Sequence, residues 1–140
     1  MNNQELNERI ENFMQLVNQN MHNHYRNNFP STYAETSEDH QYVVADTGRK
    51  FLRIASVDRD GMHRSVYCFI ALVDGNTKSM GSYSVGDILK PATWKAPAKH
   101  SRGSVLAEDF GVSCVGPYGV DYLTGGGGYK FSPLTATATA

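Results

Sequence analysis

The chain has 140 residues, of which 40% are hydrophobic and 19% charged, with a formal net charge of −1. That size suits one domain able to bury a core without disulfide or metal staples. Cys68 and Cys114, far apart in apolar or Gly-rich surroundings, read as reduced, buried thiols rather than a disulfide framework. No apolar run is long enough to span a membrane and the start Met-Asn-Asn-Gln-Glu is too polar for a signal peptide, so an intracellular, soluble protein is expected.

The small net charge conceals segregation. Residues 1–48 carry two basic and seven acidic side chains, residues 49–102 ten and four, and residues 103–140 one and three. A positive middle between negative flanks attracts anionic partners. The plainer reading is that these cations only solvate two faces of a sheet.

In chain order, Leu6, Ile10, Phe13, Met14, Val17, Met21 and Tyr25 recur at three- and four-residue steps, which predicts an amphipathic helix from Asn3 to about Tyr25. Asn2 and Glu5 have the spacing of a capping box, and Glu5, Glu8 and Glu11 suit the early turns. His22 and His24, two apart, point in different directions on a helix and read as solvated end residues. Residues 27–41 form a polar connection, stopped by Pro30 and anchored by Phe29 and Tyr33.

Tyr42–Ala45 reads as a short strand closed by the turn Asp46-Thr47-Gly48. Lys50–Val57 and Ser65–Val73 read as a hairpin through Asp58-Arg59-Asp60-Gly61. Both alternating sets of the second strand are apolar, Val66, Cys68, Ile70 and Leu72 against Tyr67, Phe69, Ala71 and Val73, so it should be central and covered on both faces. A long polar segment, Asp74 to Gly86, leads to a third antiparallel strand at Asp87–Lys90, which Pro91 ends because it has no amide hydrogen to donate. Ser104–Phe110 reads as a short strand or turn. Four consecutive glycines at 125–128 read as a hinge lacking the Lys-Ser/Thr ending of a P-loop, followed by a Thr/Ala tail.

These elements predict an α+β fold: an N-terminal helix packed on a curved antiparallel sheet of three to five strands, with a Gly-rich C-terminal arm. A single domain should occupy 1–123 and the tail 124–140.

Lys90 to Arg102, K-P-A-T-W-K-A-P-A-K-H-S-R, concentrates the functional signal: four formal positive charges, His100, the chain's single tryptophan, two prolines and no carboxylate. Lys90, Lys95, Lys99 and Arg102 can neutralise phosphates, and Trp94 can stack on a base if a ring face is open. Pro91 and Pro97 limit the entropy lost on binding. Arg49, Lys50 and Arg53 could widen the basic surface. In the competing reading, Trp94 plugs the core and the lysines sit in water.

The block G-D-I-L-K-P-A-T-W-K-A-P-A-K-H-S-R-G at 86–103, preceded by the Ser-Val-Tyr-Cys-Phe-Ile strand, resembles a group of small uncharacterised proteins of tailed bacteriophages. The resemblance covers about residues 40–110, and Tyr118–Leu123 is similar to a closing segment. The chain departs from those proteins at 74–85, where they have a tight turn. The resemblance implies a phage origin rather than a mechanism.

Catalysis requires convergent nucleophilic, acid–base or metal-binding groups. His22, His24, His40, His63 and His100 lack metal-site spacing, and a His100–Asp87 acid–base pair has no support from spacing. No catalytic residue, metal or cofactor is therefore expected. The first reading is a phage accessory protein that binds nucleic acid or a nucleotide through the basic loop in the host cytoplasm. The alternatives are a virion or assembly component whose C-terminal arm packs on like subunits or other virion proteins, and an anti-defence protein that sequesters a host factor or signalling nucleotide. No membrane partner is expected.

Overall fold

The structure, a computed structural model, describes residues 3–28, 41–46, 48–58, 64–78, 81–116 and 119–120. Phe29, Pro30, Tyr33, the turn residues Arg59–Gly61, the capping residue Asn2, residues 121–123 and the C-terminal tail 124–140 lie outside them. In chain order the elements are α1 (Asn3–Asn28), β1 (Gln41–Ala45), β2 (Phe51–Asp58), β3 (Arg64–Ala71), β4 (Gly75–Thr77), β5 (Gly81–Tyr83), β6 (Asp87–Leu89), β7 (Gly103–Ser104), β8 (Val115–Gly116) and β9 (Gly119–Val120). Strands β1-β2-β3-β6-β7 form one antiparallel sheet in that order, and β4-β5 and β8-β9 form two small hairpins. The fold is thus α+β, with the sheet at the upper end of the expected strand number.

Helix α1 runs to Asn28, three residues beyond Tyr25. Leu6, Ile10, Phe13, Val17 and Met21 are buried against Val43, Ile54, Cys68, Ile70 and Ile88 of the sheet. Leu16 and Asn20, absent from the expected stripe, are also buried, so the buried face is wider than a strict three–four spacing suggests. His22 and His24 are half-buried rather than solvated, and burial lowers the pKa of His24. On the exposed edge of the sheet, the Asn18 side-chain amide donates to the Val43 carbonyl (3.2 Å) and its oxygen accepts from the Val43 amide (2.6 Å). One helical side chain thereby occupies the outward backbone groups of an edge strand, the groups that otherwise invite pairing with another chain.

Strand β3 is central, as expected, but its alternation breaks. Ile54 is opposite Cys68 and Ala55 is opposite Val66, so Tyr67 is an extra residue in a β-bulge. Tyr67 and Cys68 therefore both enter the core beneath α1, while Val66 joins Phe69 and Ala71 on the opposite face. The Tyr67 hydroxyl donates to the Gly116 carbonyl at 2.6 Å, which ties β8 to the sheet. Neither cysteine is in a disulfide; Cys68 is buried, but Cys114 is only half-buried. Burial, with the neighbouring Cys114 adding to it, pushes the Cys68 thiol pKa well up, which keeps it protonated and unreactive.

The polar segment between β3 and β6 is folded. It forms the β4-β5 hairpin, whose Tyr83 is buried with Phe69, Ala71 and Leu89 and meets the Phe51 ring at 4.9 Å between centroids. Asp74 accepts from the Val85 amide (2.8 Å) and Asp87 from the Ser84 amide (2.9 Å), closing the hairpin's return. Of the strand or turn expected at Ser104–Phe110, only Ser104 is in a strand, at the end of β7, and the residues from Val105 to Phe110 are turns. Arg9 of α1 clamps those turns by donating to the carbonyls of Val105 (2.9 Å) and Ala107 (3.2 Å). Gly111 has φ 86°, and a Cβ there would come within 2.3 Å of Ile88, so only glycine fits.

Candidate nucleic-acid site on the basic loop

The loop after β6 is a closed unit. Pro91 and Pro97 face each other in an isolated antiparallel bridge, and the Ala98 amide donates to the Lys90 carbonyl at 2.7 Å. The amides of Ala92 and Thr93 both donate to the Ala96 carbonyl at 3.0 Å. The Thr93 hydroxyl accepts from the amides of Lys95 (3.2 Å) and Ala96 (3.1 Å), a side-chain-stabilised turn that sets the direction of the intervening Trp94. Pro97 is buried, which roots the loop.

Trp94 is 40% exposed, so it is not the core plug. It lies on the sheet face opposite α1, because its ring sits against Arg53. Arg53 is opposite Phe69 in the β2-β3 register, and Phe69 belongs to the cluster on that face. The Arg53 guanidinium carbon is 4.4 Å from the Trp94 ring centroid, and Nη1 donates to the Trp94 carbonyl at 3.2 Å. Nε and Nη2 donate to the same Asp46 oxygen at 3.2 and 2.9 Å. Asp46, a turn residue by sequence, thus anchors Arg53, and Arg53 backs Trp94. With both side chains about four-fifths buried, this pair is screened less by solvent than a surface ion pair.

The remaining candidates divide. Lys95, Lys99, His100, Arg49 and Lys50 are exposed. His100 holds φ 71°, an uncommon left-handed backbone for a residue with a side chain. Its carbonyl accepts from Arg102 Nε at 3.2 Å, and Arg102 is half-buried beside it. Lys90 departs from the group: it is half-buried and donates to the Val120 carbonyl at 3.1 Å, which ties β9 to the sheet on the helix side. Asp87 serves the Ser84 amide and does not meet His100, so the acid–base pair is not assembled.

Among the described residues no group of three or more His, Cys, Asp or Glu side chains could hold a metal ion, and no helix is long and apolar enough to cross a membrane. The site therefore consists of one aromatic ring backed by a held guanidinium, with the exposed Lys95 and Lys99 following it in sequence, suited to stacking and charge neutralisation. Sequence reasoning overlooked Asp46 and Thr93; the one available signal was the Thr93-x-Lys95-Ala96 spacing of a hydroxyl-closed turn.

No curated protein and no solved structure matches the chain. The profile of the family described as "Family of unknown function (DUF7717)" matches residues 1–130, and the chain belongs to that family.

Proposed function

We propose that this is a non-catalytic phage accessory protein that binds nucleic acid or a nucleotide through the Trp94 loop in the infected cell's cytoplasm. The observation that carries the reading is the exposed Trp94 ring, held in place by Arg53 instead of being spent on the core. A base stacked on the open part of the ring would be flanked by Lys95 and Lys99, which supply phosphate contacts. The cation behind the ring weakens its attraction for a second cation and so favours a neutral base over an ammonium ligand. The virion-component reading rests on the C-terminal arm, which lies outside the described residues, and gains no support.

Because Trp94 is the only tryptophan, intrinsic fluorescence reports directly on the site. Titration with mononucleotides and oligonucleotides should quench Trp94, more weakly as salt is raised. The double variant Lys95→Glu/Lys99→Glu should abolish oligonucleotide binding measured by anisotropy, and nucleotide should raise the wild-type melting temperature. Unchanged binding in the double variant would refute the reading.

A further inference from the structure

The sheet face that carries Trp94 holds a second exposed aromatic ring that no part of the preceding reading uses. Val43 is buried beneath α1, so by the two-residue period of a strand Tyr42, Val44 and Asp46 point to the opposite face. Tyr42 is 36% exposed there. Asp46 is the residue that anchors the Arg53 guanidinium against Trp94. Four residue steps at about 3.3 Å each separate Tyr42 on β1 from Asp46 just beyond its end, roughly 13 Å. Of the residues of that face between them on β1 and β2, Val44 is half-buried and Ala55 buried, and neither carries a charge that would repel a phosphate backbone.

Two aromatic platforms on the face of an antiparallel sheet whose other face is covered by a helix form the arrangement that reads splayed bases of a single strand. A duplex cannot use them, because its bases are closed against one another. A mononucleotide can fill only one. From this we infer that the ligand is single-stranded nucleic acid several nucleotides long, with Tyr42 as the second stacking residue. The inference rests on the reading of Trp94 as a stacking platform, with Lys95 and Lys99 beside it as the phosphate contacts.

The test separates the two platforms by ligand length. Trp94 quenching is titrated with a mononucleotide and with octanucleotides of deoxyribose and ribose type, in wild type, Tyr42→Val and Tyr42→Phe. Valine keeps the β-branched preference for a strand while removing the ring, and phenylalanine keeps the ring. The expected result is that Y42V leaves mononucleotide affinity unchanged and lowers octanucleotide affinity about five- to 150-fold, the range for one lost stack, while Y42F retains it. The sugar series that binds more tightly identifies the ligand as DNA or RNA. Octanucleotide affinity within twofold of wild type in Y42V, with mononucleotide quenching intact, overturns the role of Tyr42 and leaves Trp94 standing. Loss of mononucleotide quenching in Y42V also overturns it, because Tyr42 would then be supporting the Trp94 loop. No quenching of wild type by any of these ligands overturns both readings.

Discussion

Replacing Arg53 with methionine tests whether Trp94 is held where a ligand could reach it. Methionine keeps much of the apolar stem but removes three sets of contacts: the guanidinium over the ring at 4.4 Å, the two bonds to Asp46 at 2.9 and 3.2 Å, and the bond to the Trp94 carbonyl at 3.2 Å. A partly desolvated cation–π contact contributes about 1–2 kcal/mol. A charge-assisted hydrogen bond contributes about 1.5–3 kcal/mol, less where solvent still reaches it. Losses of neighbouring contacts are not additive, so a net destabilisation of about 2–3 kcal/mol is expected. For a chain of 140 residues each kcal/mol lowers the melting temperature by roughly 3–4 °C, which makes the shift about 6–12 °C. The assay is thermal unfolding followed by circular dichroism, together with Trp94 emission and acrylamide quenching. The ring should become more accessible and its emission should move to the red. Asp46→Asn in combination with Arg53→Met closes a double-mutant cycle, and the double variant should cost less than the sum of the singles. A melting temperature within 1 °C of wild type, with unchanged emission, would refute the claim that Arg53 positions Trp94.

Asn18→Ala exposes both outward backbone groups of Val43 and should cost about 1–3 kcal/mol in urea unfolding, with a greater tendency to self-associate through the uncovered edge; equal stability and a monodisperse profile on gel filtration would count against the edge-blocking role. Gly75→Ala would place a methyl group 2.3 Å from the Tyr83 ring, so the ring must leave its place against Phe51; about 1–3 kcal/mol should be lost, measured as a lower urea midpoint. Asp109 has a depressed pKa: burial pushes it up, but the amides of Gly111 and Ser113, at 2.9 and 3.0 Å, outweigh burial by bonding the charged form. The folded state therefore releases this proton more readily than the unfolded one, so its contribution is fully present above the ordinary carboxylate range and is lost as pH falls through the folded pKa. The stability gap between wild type and Asp109→Asn, measured in urea, should accordingly be widest near neutrality and shrink below about pH 4; a gap independent of pH would refute it.

Local pattern made the helix and the central hairpin legible. The stripe from Leu6 to Met21 buries one face of α1 wherever a sheet is available, and the doubly apolar run at 65–73 has to lie between two layers. Pro91 marked the end of β6 because a missing amide donor is a property of the residue itself. The loop's composition also pointed to its charge without any knowledge of the fold. Tyr67 was misassigned because a single extra residue inverts every side chain before it, and the bulge depends on pairing with Ile54 and Ala55 rather than on the sequence of β3. Tyr83 lay in a segment read as polar, and only Phe51, 32 positions earlier, shows why it is buried.

What the amino-acid sequence determined by itself was the existence of a basic, proline-bounded loop carrying one tryptophan at the exit of a strand. Whether that tryptophan faced inward or outward was decided by tertiary structure. Thr93 sets the turn locally, but the partner that holds the ring, Arg53, is 41 residues away and is itself aimed by Asp46, the residue just after β1. Tyr42 joins the same face for a similar reason: strand alternation makes it opposite to Val43, and only the seating of Val43 under α1 decides which face that is. Contacts between distant segments have no signature in spacing or periodicity, because their energy depends on chain closure by the whole fold.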